Sequence, residues 1–257
     1  MISIKMTENL TGVTIRGDFD DFYELVDAFY EITISDDSVK HRSYIDMSIR
    51  LLGTCYDIRH AYMGDRDIVL IENNLSNEKK KWRGVSAPTH NVYYECNCLF
   101  PEMIFVTIAL NELIEIRIKE LTKKTYISYD AYSDKKVIWD RTISVLRGFQ
   151  SAFAECMREA LSPIQYSRWL NVITKPYLPI VSMLRQYIDV LNIEYIEMTK
   201  EKRLKNLNSI TKRIADYWHN DDYVELAHEI SMAAKHYECQ ESQIELIGLD
   251  YPEEIEW

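Results

Sequence analysis

The segment Cys55–Asp67, CYDIRHAYMGDRD, places a thiol, an imidazole, two guanidinium groups and three carboxylates within thirteen residues. Such groups perform general acid–base catalysis and bind anionic substrates. They can act together only if the backbone directs them toward one point. The elements that carry them therefore decide whether this segment is an active site or the charged end of a helix.

A helical wheel at about 100° per residue separates these groups. One apolar stripe is predicted to contain Ile45, Ile49, Leu52, Tyr56 and Met63, with Met47, Leu51, Cys55, Ile58 and Tyr62 beside it. The opposite face, predicted to be solvated, carries Asp46, Arg50, Thr54 and Asp57. Gly64 is expected to end the helix in a left-handed conformation, which leaves Asp65 in a turn. The charged groups are therefore predicted to diverge.

Arg59 is the exception, because the wheel places it on the apolar side of the helix. A buried guanidinium group is costly unless it is paired. We expect a carboxylate from elsewhere in the fold to pair with it, and the candidates are Asp18, Asp20 and Glu102. The alternative is a ligand site in which Arg59, with His60 at the border between the two faces, binds an anion.

A second candidate is RIADYWH, Arg213 to His219, which resembles the short Arg-to-His motif of the HEPN ribonucleases. The resemblance implies metal-independent RNA cleavage across a dimer, with Arg213 binding the scissile phosphate and His219 transferring a proton. Ile214 departs from the family pattern, which is usually polar there. On one continuous helix the two side chains would lie about 120° apart. The alternative is two cationic residues at the C-terminal end of a helix, where cations are favoured.

Metal binding is the third possibility. Cys96 and Cys98 lie on a predicted strand and point the same way, since side chains alternate along a strand. His236 and Cys239 are three residues apart on the last predicted helix. A zinc site needs about four ligands, and only a coincidence of folding would unite these two pairs. No nucleotide-binding or nucleophile motif is present either, so no metal and no cofactor are predicted.

Composition narrows the class of protein. The chain has 257 residues, a formal net charge of −11 and five cysteines. The negative charge opposes binding of nucleic acid and anionic membranes, so RNA could bind only through the local basic segments 78–83 and 200–213. The longest apolar run, Met103–Leu110, is shorter than the roughly 18–20 residues that span a bilayer. With no N-terminal secretion signal, we expect reduced thiols, a cytoplasmic location and no membrane contact.

Hydrophobic periodicity predicts an α+β fold. A hairpin of Ile2–Met6 with Gly12–Gly17 precedes a helix capped by Asp18, and further strands are predicted at 67–73 and 91–100. Residues 1–125 are predicted to form an α+β domain with a small mixed or antiparallel sheet and covering helices. Residues 126–257 are predicted to form a mainly helical bundle or long helical hairpin that shares the same core, interrupted at TKPYLP (174–179).

Four segments resemble a family of bacterial cytosolic proteins catalogued only as a domain of unknown function: NLTGVTIRGDFDDFYELVDA, RLLGTCYDIRHAYMGDRD, NVYYECNCLFPEMIFVTIALNEL and VLRGFQSAFAECMREALS. The resemblance implies no assigned activity and carries over no catalytic residue. Such proteins sometimes occur in phage-defence or toxin–antitoxin loci. We therefore predict a regulatory or protein-interaction protein that binds a protein partner or itself, with the HEPN-like ribonuclease as the alternative.

Overall fold

The fold is α+β, as predicted, with a small antiparallel sheet in the first half and a mainly helical second half. The computed structural model describes residues 1–35, 38–124, 129–174 and 183–257. The strands are β1 (Ser3–Met6), β2 (Gly12–Gly17), β3 (Asp67–Glu72) and β4 (His90–Leu99). The α-helices of the described residues are α1 (Phe19–Ile32), α2 (Ile45–His60), α3 (Asn77–Arg83), α4 (Phe100–Thr122), α5 (Tyr129–Tyr132), α6 (Lys135–Ile138), α7 (Arg141–Ala160), α8 (Pro163–Ile173), α9 (Arg185–Glu197), α10 (Lys200–Ala215) and α11 (Asp221–His236).

The four strands follow the order β1-β2-β4-β3, and every neighbouring pair is antiparallel. The predicted β1–β2 hairpin is confirmed. One face of the sheet is buried against helices, and Val13 lies there opposite Cys98 and Ile15 opposite Cys96. The other face is polar, with Thr14 Oγ1 donating to Asn97 Oδ1 at 2.7 Å. This alternation is expected for a sheet that is covered by helices on one side only.

Helix α1 begins at a capping box. The Asp18 carboxylate accepts a hydrogen bond from the Asp21 backbone N–H at 2.9 Å, and the Asp21 carboxylate accepts one from the Asp18 N–H at 3.1 Å. The box satisfies two backbone donors that a helix start otherwise leaves unpaired. Its buried residues repeat at helical spacing and include Phe22, Leu25, Val26, Phe29 and Ile32.

Helix α2 differs from its prediction in orientation. It runs from Ile45 to His60, and a π-helical turn, Ala61–Asp65, follows it. Gly64 has the expected positive φ, +93°. The buried residues are Met47, Leu51, Cys55 and Ile58, with Ser48 and Thr54 beside them, whereas Ile49, Tyr56 and Met63 of the predicted stripe are exposed. The helical wheel shows two adjacent apolar stripes on α2. The stripe that contains Leu51 and Cys55 is the one that packs in the core, where α2 contacts α1.

Helix α4 forms the centre of the core, and its first half is buried on every side, because a helix that is apolar all round must be enclosed by other elements. The connection between β3 and β4 contains α3, because Ser76 caps its first turn and Gly84 ends it at a φ of +64°. Within the described part of the chain, no helix combines the length and apolar character that crossing a bilayer requires.

The hydrophobic core runs through both halves of the chain. Phe29 of α1 packs edge-to-face on Phe149 of α7, and Phe100 of α4 stacks on Tyr195 of α9 at 5.5 Å between ring centroids. Trp139 is exposed, because it ends α6 before Asp140 caps α7. The predicted domain boundary at 125–126 and most of the predicted interruption at 174–179 lie outside the described residues.

A covered cavity and an open sheet edge as candidate functional sites

A cavity of about 690 Å³ lies between α2, the second half of β4 and the C-terminal residues. Its volume is within the usual range for small-molecule sites. Helix α2 contributes the face that carries Arg50, Thr54 and Asp57. That face was predicted to be solvated, and this prediction is wrong for Arg50 and Thr54, whose side chains are largely or fully buried against the cavity.

Arg50 joins three helices at one end of this cavity. Its Nε donates to Glu102 Oε1 of α4 at 3.0 Å, its Nη1 and Nη2 donate to the Asp189 carboxylate of α9 at 3.2 and 3.0 Å, and Nη2 also contacts Glu102 Oε2. Burial lowers the pKa of Arg50, but its charge pairing and hydrogen bonds with Glu102 and Asp189 outweigh that effect and raise the pKa overall. Arg50 therefore stays charged and fully paired.

Asn192 of α9 lies beside this network. Its side chain is almost fully enclosed, at 1% exposure, and it lines the cavity. Its Nδ2 donates to Glu102 Oε2 at 3.2 Å and contacts the Tyr251 hydroxyl oxygen at 3.0 Å. Its Oδ1 has no hydrogen-bond partner among the described residues. Asn192 Oδ1 is thus an enclosed acceptor beside the cavity that no described residue satisfies.

The C-terminal residues Tyr251–Trp257 form a strap, of which Tyr251, Ile255 and Trp257 line the cavity. At one end, the Tyr251 hydroxyl donates to Asp189 Oδ1 at 3.0 Å. At the other end, Asn9 Nδ2 donates to the Trp257 backbone oxygen at 3.1 Å, and Thr11 donates to the backbone oxygen of Glu256. The strap therefore connects α9 to the β1–β2 turn along one side of the cavity.

Cys96 and Cys98 face the same cavity from β4, and both are buried. Burial, with a smaller contribution from the Asp57 carboxylate, raises the pKa of Cys96 to about 12. Burial also raises the pKa of Cys98 well above its ordinary value. Both therefore remain protonated thiols near neutral pH, which makes them poor nucleophiles. His236 and Cys239 lie at the end of α11, and the described residues contain no group of three or more His, Cys, Asp or Glu side chains placed to hold a metal ion.

The second candidate site is the open edge of the sheet at β3. Residues Ile68 and Leu70 lie on the face that carries Cys96 and Cys98 nearer the core, yet they are 55% and 64% exposed. Val92 of β4 lies opposite Leu70 and is 46% exposed. In the part of the chain that the structure describes, no strand pairs with the outer edge of β3. The apolar face of the sheet thus extends beyond the helices that cover it.

The groups of the Cys55–Asp67 segment pair locally instead of converging. Arg59 Nη1 donates to the Tyr30 hydroxyl at 3.2 Å, and its guanidinium lies over the Tyr56 ring. Among the described residues no carboxylate pairs with Arg59: Asp18 caps α1, Glu102 binds Arg50, and Asp20 forms no ion pair with it. His60 Nδ1 contacts Asp65 Oδ2 at 2.8 Å. Neither Arg59 nor His60 lines the cavity described above.

Arg213 and His219 each bind their own carboxylates. Arg213 Nη1 donates to Glu194 at 2.6 Å and Nη2 donates to Asp222 at 2.8 Å, and His219 Nδ1 contacts Asp216 at 2.7 Å. Helix α10 ends at Ala215, between the two residues, so the separation expected on one helix does not apply. The structure gives no hydrogen bond between them, and the His219 side chain is 82% exposed.

A family model described as "Domain of unknown function (DUF6904)" matches residues 2–257. No curated protein and no solved structure matches the chain. The match extends over the sheet, the cavity and the helical half, so all of these features belong to one family domain.

Proposed function

The chain belongs to the DUF6904 family, and we propose that it is a non-enzymatic regulatory or protein-interaction protein that self-associates through the open edge of β3. The observation that carries the proposal is the exposed apolar edge formed by Ile68, Leu70 and Val92. We place this activity in the bacterial cytosol, within a phage-defence or toxin–antitoxin setting. The five free cysteines support a reducing compartment.

An unpaired edge strand presents backbone N–H and C=O groups that can hydrogen-bond to another strand. Proteins usually protect such edges with proline, a bulge or an inward-pointing charge. The interior of β3 contains only Ile68, Val69, Leu70 and Ile71, with Asp67 and Glu72 at its ends. None of the protective features interrupts this run, so the edge is suited to pairing.

A second copy of the chain fits this edge by side-chain complementarity. In an antiparallel pair, directly opposite residues lie on the same face of the sheet. A two-fold axis at Val69 places Ile68 opposite Leu70 and Arg66 opposite Glu72, and the symmetry repeats both pairs. A two-fold axis at Leu70 would instead place Ile68 opposite Glu72. The first register is favoured, because it pairs apolar with apolar and positive with negative.

Sedimentation of the wild type beside Leu70→Lys tests the proposal. We expect a wild-type dimer and a Leu70→Lys monomer, because two lysines near the symmetry axis would repel each other. Ile247→Lys is the matched control, since Ile247 is fully exposed and remote from β3 in sequence, and it should remain dimeric. A wild type that stays monomeric up to about 1 mM, where even a contact of about 4 kcal/mol is half populated, would overturn the proposal.

A second candidate function is the HEPN-like ribonuclease that uses Arg213 and His219. The end of α10 between these residues favours it, because the helix no longer holds the side chains apart. The two carboxylates that form ion pairs with Arg213 argue against it, because they neutralise the guanidinium charge that would bind a phosphate. In the basic segment 200–213, Arg203 is also buried and donates to backbone oxygens, whereas segment 78–83 lies on the exposed helix α3.

A further inference from the structure

We propose that the apolar groove between β1 and α7 binds an amphipathic helix of a partner protein, whose apolar stripe is flanked by lysine or arginine. This surface is separate from the β3 edge, because β1 and β3 are the two opposite edges of the sheet. The inference therefore goes beyond self-association and does not depend on it. It follows from the shape of the groove, from a helical glycine that faces open space and from the acidic side chains of the lining.

The groove is a largely apolar depression of about 570 Å³. The buried side chains of Ile4, Phe149 and Cys156 form its floor, and the half-buried Val145 and Ala152 of α7 extend that apolar surface toward the solvent. Apolar surface that a fold leaves accessible in this way marks an interaction site.

The groove is also elongated. Its lining along α7 extends from Val145 to Glu159, which corresponds to about 21 Å at 1.5 Å per residue, or nearly four helical turns. A compact metabolite would fill only part of that length. A peptide helix of about 14 residues matches it.

The edge of β1 offers little backbone to a pairing strand, which favours a helix as the occupant. The Thr7 N–H donates to the Gly12 carbonyl at 3.0 Å, and hydrogen-bonded pairs alternate along antiparallel strands. Within β1, the backbone groups of Ile4 and Met6 therefore point away from β2. The Met6 backbone is hydrogen-bonded to the Cys156 thiol of α7, so Ile4 is the one residue of β1 left to pair. Strand addition needs a longer row of free backbone groups.

Gly148 gives α7 a surface that another helix can approach closely. Gly148 and Ala152 lie one turn apart in the lining, and a Cβ added at Gly148 would meet no atom of the described residues within 4 Å. Glycine weakens the interior of a helix relative to alanine. Close approach of a partner's backbone supplies the reason for this glycine that the fold itself does not.

Charge selects the chemistry of the partner. Two carboxylates line the groove from each of the helices that border it: Asp21 and Glu24 of α1, and Glu155 and Glu159 of α7. Among the described lining residues, the cations are Lys5 and the N-terminal amine, which contacts Asp21. The lining is therefore negative overall, which attracts cations and repels fatty acids and anionic membranes.

These carboxylates can exchange their present partners for those of a bound helix. Glu24 pairs with Arg141 and Glu155 pairs with Arg158, and both contacts are exposed to solvent. Exposed ion pairs contribute little to stability, so their replacement costs little. Glu159 is exposed and forms no ion pair among the described residues, so it is free to bind a lysine or arginine of the partner.

Calorimetry on the full chain tests the groove with a synthetic helical peptide of about 14 residues, in which leucines form one stripe and lysines flank it. The comparison peptide carries glutamate in place of every lysine. We expect saturable binding of one lysine peptide per chain and binding of the glutamate peptide that is weaker by about tenfold or more. Leu70→Lys, which disrupts the β3 edge, should bind the lysine peptide as the wild type does.

Two variants, each with a matched control, locate the binding. Gly148→Arg should weaken binding of the lysine peptide about tenfold or more, because its side chain would fill the groove and repel lysine. Gly53→Arg should leave binding unchanged, since Gly53 is also an exposed helical glycine with open space around it but lies outside the groove. Glu159→Lys should likewise weaken binding about tenfold, whereas the same reversal of charge in Glu229→Lys, on the exposed face of α11, should not.

The proposal is overturned if the lysine peptide gives no saturable heat up to about 1 mM. Equal losses within a matched pair of variants would also overturn it, because the peptide would then bind the acidic surface at large. A wild-type dimer that Gly148→Arg converts to a monomer would show that a second copy of the chain, and not a basic helix, occupies the groove. Circular dichroism checks the fold of each variant, and if Gly148→Arg does not fold, Glu159→Lys and Glu229→Lys decide.

Discussion

Arg50 and Glu102 form a two-point ion pair that joins α2 to α4, and Asp189 of α9 binds the same guanidinium group from a third side. The pair is largely removed from solvent, with 12% of the Arg50 side chain and 17% of the Glu102 side chain exposed. Two elements that are about fifty residues apart in sequence are thus connected by one charged contact.

Removal of Arg50 should be costly. Arg50→Met leaves two carboxylates unpaired in a buried setting, and we expect the free energy of unfolding to fall by about 3–5 kcal/mol. Urea denaturation of wild type and variant measures the change. Arg158→Met is the control, because the Arg158–Glu155 pair is exposed and should contribute less than about 1 kcal/mol. Equal losses in the two variants would contradict the assigned role of the buried pair.

The thiols should differ sharply in reactivity. Cys55, Cys96, Cys98 and Cys156 are buried, whereas Cys239 is partly exposed. A colorimetric thiol reagent at neutral pH should therefore modify Cys239 in the folded protein and all five cysteines after denaturation. The variant Cys239→Ser should lose the fast reaction. Rapid modification of Cys96 or Cys98 in the folded state would show that the cavity admits the reagent past the strap.

Stability should decline at alkaline pH. Burial raises the pKa of Cys55, Cys96 and Cys156 from an ordinary 9.0 to about 12 in the folded state. The unfolded chain therefore loses these protons first, so the stabilisation is complete below pH 9 and is lost as the pH rises toward 12. Each thiol can contribute up to about 1.4 kcal/mol per pH unit in that window. Chemical denaturation of wild type and Cys96→Ala across this range should give a shallower decline in the variant, and identical slopes would refute the assignment.

Self-association should strengthen with salt. Two bodies that each carry a net charge of −11 repel one another, and added salt screens that repulsion. Screening of the Arg66–Glu72 pairs at the exposed edge should change the dimer affinity less, because exposed ion pairs contribute little to it. Sedimentation equilibrium at low and high ionic strength measures the dissociation constant. A dimer that dissociates as salt is added would indicate a charged interface other than the β3 edge.

RNA cleavage separates the two candidate functions. If the ribonuclease alternative holds, the purified wild type should cleave RNA in the absence of divalent metal and His219→Ala should not, because His219 would transfer the proton. His228→Ala on α11 serves as the matched histidine control and should keep any such activity. Equal absence of cleavage in wild type and His219→Ala removes the alternative and leaves the interaction function.

Local signals in the sequence were sufficient for several elements. The box at Asp18 and Asp21 spans four residues, and the stripe of α1 repeats at helical spacing, so both could be predicted without knowledge of the fold. The buried face of α2 could not be predicted in this way, because Ile49 and Leu51 belong to two adjacent apolar stripes. The choice between them depends on which stripe α1 and α4 cover.

The cavity was not predicted for a similar reason. Asn192 and Tyr251 are 59 residues apart and meet only after the strap folds back onto α9. One signal was present, since Asn192 interrupts the apolar stripe of Ile188 and Tyr195 at helical spacing. A polar side chain in such a stripe must find a partner in the core, and this could have marked the site.

The attachment of the strap has a consequence for synthesis on the ribosome. Asn9 in the first turn contacts Trp257, 248 residues later. At about 5–20 residues per second, roughly 12–50 s separate the emergence of the two partners. During that interval the nascent sheet lacks its contact with the strap and, if β3 pairs as proposed, its contact with a second copy. The incomplete chain is therefore the form of this protein most in need of a chaperone.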